Sequence, residues 1–446
     1  MTERFPPNWR NERSWSWPTV PSSPSRSRSD GEQIMTVYEP PTSLYGPVTD
    51  WATDFDHADP AYNRDVHRIW SELRGSCPVA HTDRYGGTWL PVTHETVRQI
   101  AYDTENYTSR AVVVSTVVPE DPAPIGGAPP ITSDPPFHHD ARRLLLPPFS
   151  PKKIAEWESE VRILCRALLD KMEARIAAGE PIDAAIDYAQ HIPVNVISRM
   201  LGFPLEDDDL FRGFVHDILE SINGDPEERI KSFERIDAYL LAQIEDHRTN
   251  PRDDLTSYLM DVEMYGEKLP DNMVGGVILL LLVAGIDTTW SAIGSSLWHL
   301  ATHDDDRRRL VADSSLMTTA IEEFLRAYAP VTMARLVAQD HDFHGCPMKK
   351  DEWVLLPFPA ANLDPAEFAD ADKVLIDRQE NRHAAFGLGI HRCLGSNLAR
   401  LELRVAVEEF IARFPEFKLD GTTDDVVWSV GQIRGPRRLP VRVIAG

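Results

Sequence analysis

The stretch that decides the fold is His383-Ala384-Ala385-Phe386-Gly387-Leu388-Gly389-Ile390-His391-Arg392-Cys393-Leu394-Gly395. Its glycines allow a tight turn at little steric cost. Apolar residues then recur at helical spacing from Leu398 to Ile411 and stop before Pro415, which predicts a helix. Cys393 therefore lies at or just before a helix N-terminus. Free backbone N–H groups and the helix dipole favour a thiolate at that position.

A thiolate on a stiff glycine turn, with His and Arg nearby, suits an anionic axial ligand to an iron porphyrin. The residues Phe386, Gly389, Cys393 and Gly395 fill the pattern Phe-x-x-Gly-x-x-x-Cys-x-Gly. This stretch resembles the haem-binding loop of the cytochrome P-450 family. The resemblance implies that Cys393 is the axial ligand of a haem b iron, with Phe386 and Gly395 beside the cofactor. The alternative is a structural Cys, since free Cys is often only a small buried hydrophobe.

Composition excludes several classes of function. The chain has 446 residues, 42% of them hydrophobic, and a formal net charge of −24. That charge disfavours nucleic acids and anionic membranes as partners. The four cysteines are widely spaced without a C-x-x-C pair, which indicates neither a disulfide framework nor a zinc site and fits a reducing cytoplasm. The apolar run 277–284 is far shorter than the about 20 residues of a membrane span and predicts a buried central helix.

The pattern along the chain predicts a mainly α (α+β) fold. Residues 1–34, rich in Ser, Pro and Arg, are expected to be a disordered tail; a start at Met35 and an organelle transit peptide are the alternatives. Residues 35–446 are expected to form one domain. The predicted helices are 64–73, 94–103, 151–179, 184–201, 207–222, 226–247, 252–262, 271–302, 304–313 and 315–328; the predicted strands are 85–92, 335–339 and 353–357, with others in 426–443 broken at Gly435-Pro436. The family's fold, implied over about 40–446, is a large helical domain with small peripheral sheets, and its haem lies between the central helix and the Cys-loop helix.

The middle of the central helix reads Ala284-Gly285-Ile286-Asp287-Thr288-Thr289. Gly, Asp and Thr are poor mid-helix residues, because Asp and Thr compete for backbone carbonyls. An acid beside a hydroxyl is suited to relaying protons. The stretch resembles the family's oxygen-activation motif, which implies that Thr288 hydrogen-bonds the dioxygen substrate, that Asp287 feeds protons, and that Ala284 lies against the haem. A helix kink with satisfied polar groups is the alternative.

Glu323 and Arg326 are three residues apart, so they share a helix face and can pair. They lie about 70 residues before Cys393, as the family's Glu-x-x-Arg does. The resemblance implies a structural cluster with Arg378 as its third member. The segment Ala361-Asn362-Leu363-Asp364 departs from the family pattern, since many members have Arg where this chain has Leu363.

Four basic residues match family positions that contact haem propionates: His138, Arg142, Arg335 and His391. Carboxylates need such donors, and the shape of Arg suits them. His138 and Arg142 are four apart on one predicted helix face. Because His139 follows His138 directly, an offset of one residue is the alternative.

The substrate pocket is inferred only from where the family's pocket lies. The residues so placed are mostly apolar, and a compact hydrophobic substrate is therefore expected. They are Val112, Val113, Val114, Val117 and Ile125 of a long loop at 108–136, Leu281 and Ala284 of the central helix, Val331, Thr332 and Met333, and Val430, Gln432 and Ile433 of the last hairpin.

The resemblance implies a soluble haem-thiolate monooxygenase that inserts one atom of O2 into its substrate by hydroxylation or oxidative dealkylation. The chain shows neither a flavin fingerprint nor an iron–sulfur Cys cluster, so electrons are expected from a separate ferredoxin or flavodoxin with its NAD(P)H reductase. Arginines near the Cys loop in sequence, Arg142, Arg143, Arg392, Arg400 and Arg404, are candidates for docking that acidic carrier. A cytoplasmic monomer is expected. The alternatives are a peroxide-driven peroxygenase of the same fold and a non-catalytic haem sensor or ligand-binding protein.

Overall fold

The computed structural model of the protein describes residues 44–76, 78–115, 127–220 and 226–444. The predicted tail, Cys77, Val117 and Ile125 lie outside these ranges. Helices dominate the described chain, as predicted from its periodicity. They are α1 Val66–Ser76, α2 His94–Tyr102, α3 Phe137–Leu145, α4 Pro151–Ala155, α5 Glu158–Ala177, α6 His191–Leu201, α7 Asp208–Val215, α8 Pro226–Thr249, α9 Leu255–Asp261, α10 Asp271–Thr302, α11 Asp304–Ala312, α12 Met317–Ala327, α13 Phe358–Asn362 and α14 Ser396–Arg413.

The strands form small separate sheets, also as predicted. One sheet has five strands in the order β1-β2-β10-β7-β3, and another has three in the order β11-β14-β4; the remaining strands pair as β5-β6, β8-β9 and β12-β13. Their bounds are β1 Val79–Thr82, β2 Thr88–Pro91, β3 Tyr107–Thr108, β4 Ile182–Asp183, β5 Glu263–Met264, β6 Glu267–Lys268, β7 Thr332–Val337, β8 His341–Phe343, β9 Cys346–Met348, β10 Trp353–Pro357, β11 Phe417–Leu419, β12 Val427–Trp428, β13 Pro436–Arg438 and β14 Pro440–Val443.

Helix α10 is the centre of the larger hydrophobic core, and its predicted bounds are confirmed. Within the described ranges it is the one helix long and apolar enough to cross a bilayer by length and composition. However, α6, α8 and α14 pack against it, and most of its length is buried inside the protein. A helix that is apolar nearly all round is expected in such a position, because most of its surface packs against other elements.

Several predicted boundaries were wrong for local reasons. The strand predicted from Tyr85 begins instead at Thr88, because Tyr85, Gly86 and Gly87 have positive φ angles and form a turn. The helix predicted over 151–179 is interrupted at Glu156–Trp157. The break predicted at Gly435-Pro436 is confirmed at Gly435, which lies between β12 and β13, but Pro436 begins β13, where a strand's first residue tolerates the missing N–H.

The β12–β13 hairpin packs directly on α10. A Cβ atom on Gly435 would lie 2.3 Å from the Cβ of Ser291 and 2.5 Å from its Cα. One residue later, the Pro436 ring lies 3.3 Å from the Cβ position of Gly294. The hairpin therefore reaches the backbone of α10 only because residue 435 lacks a side chain.

We expect Gly435→Ala to destabilise the protein by about 1–3 kcal/mol, since overpacking a fixed contact costs that much. Urea unfolding measures the change. Gly75→Ala is the matched control, because nothing lies within 4 Å of its Cβ position inside α1; a helical Gly→Ala there stabilises by up to about 1 kcal/mol. Equal unfolding midpoints for the two variants would contradict the close packing.

Candidate active site

The Cys loop is closed by one backbone hydrogen bond and by glycine. The Cys393 N–H donates to the Phe386 carbonyl at 2.7 Å. Gly389 has φ +69°, and a Cβ there would lie 2.0 Å from the Ala101 carbonyl oxygen at the end of α2. A side chain at Gly389 is therefore excluded by both conformation and contact. The loop places Cys393 three residues before α14, as the sequence predicted.

Cys393 is exposed to solvent, but the protein atoms packed around it still desolvate its sulfur. This desolvation raises the pKa of the thiol, while a backbone hydrogen bond from Gly395 and the charges of Arg142 and Arg392 lower it. The sequence predicted the contribution of the backbone N–H but not the larger effect of burial. A metal cation at the sulfur would reverse the balance, because a coordinating thiol loses its proton outright.

Four basic side chains gather beside the loop: His138, Arg142, Arg335 and His391. The His138 and His391 rings are 4.3 Å apart, and the His391 Nε2 is 2.9 Å from the Ser109 Oγ. Arg142 donates to the Arg392 carbonyl. Arg335, 6% exposed, donates to the Ala334 carbonyl at 2.7 Å. The sequence placed all four residues in this group and missed Ser109.

Burial disfavours the charged forms of these basic side chains. It lowers the pKa of Arg335 to about 10. Together with the charge of Arg142, burial lowers the pKa of His138 to about 4. Burial and then Arg335 lower the pKa of His391. Each shift shows that the charged form is poorly solvated here.

This group is suited to binding an anionic ligand. Both ring nitrogens of His138 are buried without a hydrogen-bond partner. Within the described residues, neither Arg335 nor Arg142 pairs with a carboxylate. Buried polar groups of native proteins are normally satisfied, so a ligand bearing carboxylates, such as the two propionates of haem, matches the donors present. His139 is exposed, which favours His138 over the alternative offset.

Two neighbouring residues of α10 face in different directions. Thr288 is half-buried and its Oγ1 donates to the Ala284 carbonyl at 2.8 Å; Ala284 itself is exposed in the middle of an otherwise buried stretch. Asp287 is fully buried and lies 2.6 Å from the Arg437 guanidinium of β13. Sequence reasoning missed Arg437. A buried acid implies a cation, but the sequence offers many arginines and does not say which one reaches it.

The Glu323 cluster assembles as the resemblance implied. Glu323 and Arg326 are both fully buried and joined by two hydrogen bonds of 2.9 Å, and Arg378 donates to Glu323 at 2.9 Å. Asn381, which the sequence analysis did not single out, also donates to Glu323 at 3.1 Å. Arg326 further donates to the Asn362 carbonyl, so the cluster ties α12 to the segment leading into the Cys loop.

A second ion pair, missed from the sequence, fixes the loop from the other side. Arg400 of α14 donates to Glu322 at 2.6 and 2.8 Å and lies 4.4 Å above the Phe386 ring. His383 contacts the same carboxylate at 3.1 Å. Burial opposes ionisation of Glu322, but the bonds from Arg400 and His383 outweigh it and lower the pKa to about 2. The adjacency of Glu322 to Glu323 was the available signal.

The predicted substrate contacts fall into two places. Val331 forms an isolated bridge with Ile433, and the Thr332 N–H donates to the Gln432 carbonyl at 2.9 Å. Gln432 is buried, and its amide lies between His57, the Val114 N–H and the Thr332 carbonyl. Val113 is half-buried next to this group. Leu281 is separate, on α10 one turn before Ala284. Thr332 and Gln432 therefore link β7 to the last hairpin, and their contact with substrate stays a prediction.

Comparison with known proteins agrees with this geometry. Residues 92–427 match the family described as Cytochrome P450. The mycinamicin IV hydroxylase/epoxidase of Micromonospora griseorubida is 32% identical over 394 residues, covering 84% of this chain and 96% of that protein. The vitamin D(3) 25-hydroxylase of Pseudonocardia autotrophica is 33% identical over 387 residues, covering 85% and 94%.

A solved structure gives the same result for the fold. The crystal structure of a myxobacterial cytochrome P450 in complex with myristic acid aligns with a TM-score of 0.80 at 29% identity, covering 87% of this chain and 98% of that one. Sequence relatives above 30% identity and a family match across most of the chain lead to one conclusion. The chain belongs to the cytochrome P450 family, and it is a monooxygenase.

Proposed function

We propose that the protein is a cytoplasmic, monomeric haem b monooxygenase that oxidises a hydrophobic small molecule by hydroxylation or oxidative dealkylation. The observation that carries the proposal is the accessible Cys393 thiol beside four basic side chains that lack carboxylate partners among the described residues. Relatives support the substrate class: one is named for vitamin D(3), and a solved neighbour was crystallised with myristic acid. Both compounds are mostly hydrocarbon, as the predicted lining residues Val113, Leu281 and Val331 are.

Different residues of the chain bind different parts of the cofactor. Cys393 supplies the thiolate ligand, and Gly395 donates a backbone hydrogen bond toward its sulfur. His138, Arg142, Arg335 and His391 bind the propionates. Haem held in this way supplies the one-electron and oxygen chemistry that no side chain can provide.

The reaction consumes O2, two electrons and two protons for each substrate C–H bond oxidised. The O–O bond breaks; one oxygen atom enters the product, and the other leaves as water. We assign the protons to Asp287 and Thr288. Thr288 presents its hydroxyl beside the exposed Ala284 carbonyl, and Asp287 replaces the proton that Thr288 gives up.

The electrons come from a separate ferredoxin or flavodoxin served by an NAD(P)H reductase. Of the arginines proposed to dock it, Arg400 pairs with Glu322, Arg404 pairs with Glu158 and Glu408, and Arg143 pairs with Asp140. Arg392 is exposed and pairs with no described carboxylate. We therefore narrow the docking proposal to Arg392, next to the Cys ligand.

The test of the function begins with the haem-loaded full chain. Myristic acid, testosterone and vitamin D3 are screened for displacement of the haem water by absorption spectroscopy. Each is then supplied with O2, NADPH, a ferredoxin and its reductase. An oxygenated product formed with electrons, and not with peroxide alone, supports the proposal. Absence of electron-dependent O2 consumption with every ligand would favour the haem sensor instead.

Cys393→Ser should remove the red-shifted Soret band of the reduced, carbon-monoxide-bound protein, because a hydroxyl does not replace the thiolate ligand. Cys346→Ser is the control, since Cys346 lies in β9 away from the loop and should leave the band unchanged. A red-shifted band in Cys393→Ser would mean that another residue binds the iron.

Arg335→Met should speed haem loss to apomyoglobin by about tenfold to a hundredfold, because one charge-assisted hydrogen bond contributes about 1.5–3 kcal/mol and each 1.4 kcal/mol is about a factor of ten. The same change should leave the haem-free protein equally or more stable in urea, because it removes a buried cation that has no carboxylate partner among the described residues. Arg143→Met is the control: this exposed α3 residue pairs with Asp140. An unchanged rate of haem loss in Arg335→Met would mean that Arg335 does not bind a propionate.

Arg392→Glu should slow electron transfer from reduced ferredoxin by about tenfold at low salt, since reversing a contact charge mainly changes the association rate. Stopped-flow reduction under carbon monoxide measures the rate. Lys171→Glu makes the same charge change on the exposed side of α5, near the start of α6. If the rate of electron transfer falls equally in both variants, only the overall charge of the protein matters and Arg392 is not a docking residue.

A further inference from the structure

The Asp287–Arg437 pair is held on three sides. Arg437 lies 2.6 Å from an Asp287 carboxylate oxygen, donates to the Ser291 hydroxyl at 3.0 Å, and stacks 4.4 Å above the Trp290 ring. Asp287, Trp290 and Ser291 are spaced i, i+3, i+4, so they form one face of α10. Arg437 is 3% exposed. Packing against Trp290 and the charge of Asp287 therefore both hold the Arg437 side chain in place against α10.

Gly435 sets how closely β13 approaches that face. The missing Cβ lets the hairpin backbone rest on Ser291, and Arg437 two residues later reaches back one turn to Asp287. Along β13, Pro436 and Arg437 are buried and the next residue, Arg438, is exposed. The strand therefore runs from the buried pair to the protein surface within one residue.

Thr288 lies on another side of the same helix. Consecutive helical residues are about 100° apart, and Thr288 shares its face with Ala284, four residues before it. Asp287 is directed toward β13, whereas Thr288 is directed toward the accessible Ala284. A proton passed from Asp287 to Thr288 therefore crosses from the β13 side of α10 to the Ala284 side.

We propose that Arg437 is the positioning residue of the proton supply, and that protons enter from solvent along β13. The inference rests on the proposed function. Arg437 keeps its own proton and fixes the Asp287 carboxylate between the strand and Thr288. Asp287 takes a proton from water at the strand and passes it to Thr288, so the acid returns to its paired form after each transfer. Without Arg437, the buried acid loses its orientation and its route to solvent.

The hairpin contains a second arginine that serves as the structural comparison. Arg434 donates to the Asn63 side chain at 2.9 Å and stacks 4.2 Å above the Trp428 ring. Like Arg437, it combines hydrogen bonds with stacking on an indole, but its side-chain hydrogen bonds go to Asn63 and not to Asp287. Arg434→Met should therefore loosen the same hairpin without disturbing the acid.

The experiment compares Arg437→Met, Arg437→Lys and Arg434→Met as haem-loaded full chains, using the screened compound that drives O2 consumption fastest in the wild type. We measure the solvent deuterium isotope effect on O2 consumption and the H2O2 released per NADPH, since electrons that leave without O–O cleavage appear as peroxide. Arg437→Met should raise the isotope effect about twofold and slow turnover about tenfold, a modest general acid–base loss. Arg437→Lys should stay within about twofold of wild type, because it retains the charge.

Unfolding of the haem-free proteins gives an independent readout. Arg437→Met and Asp287→Asn should each lower the urea midpoint, and the double variant should recover most of the loss, because no unpaired charge remains. The proposal is overturned if Arg437→Met lowers the midpoint but leaves the isotope effect and peroxide yield equal to those of Arg434→Met. If the wild type consumes no O2 when electrons are supplied, the proposed function itself is wrong. That result is distinct from a failure of the Arg437 proposal, which requires an active wild type.

Discussion

A charge inside a protein is stable only beside a charge of opposite sign, and this molecule is organised by where that condition is met. Glu323 with Arg378, and Glu322 with Arg400, are buried or half-buried pairs that join α12 to the segments around the Cys loop. Asp287 with Arg437 joins α10 to β13. Each pair links elements distant in sequence, so the pairs determine how the helices and the hairpin meet.

The exceptions to this pairing coincide with the site. Cys393 has a pKa raised by burial, and Arg335 and Arg142 have no carboxylate partner within the part of the chain that the structure describes. A haem would compensate both kinds of group, because its iron is a cation for the sulfur and its propionates are anions for the arginines. The unfavourable electrostatics of the protein alone thus match the cofactor of the proposed function.

The two sides of helix α10 have different surroundings. Its residues Ala284 and Thr288 face an accessible space, whereas Asp287 and Ser291 face the β12–β13 hairpin. The polar residues that weaken the middle of this helix are tolerated because neighbours satisfy them: Thr288 donates within its own helix, and Asp287 is paired across to the strand. In the proposed function, the residues that supply protons and those that face the substrate therefore lie on different sides of the same helix.

The sequence by itself determined the helical fold, the bounds of α10 and α14, the Cys loop and the grouping of His138, Arg142, Arg335 and His391. These follow from local signals: periodicity, glycine at positive φ, and residue types at fixed spacing. Only the tertiary structure decided that Arg437 is the partner of Asp287, that Glu322 captures Arg400, and that Pro436 begins a strand. Such pairings depend on which distant surfaces come together, and in a chain with 46 Lys and Arg residues no local pattern selects one cation for one buried acid.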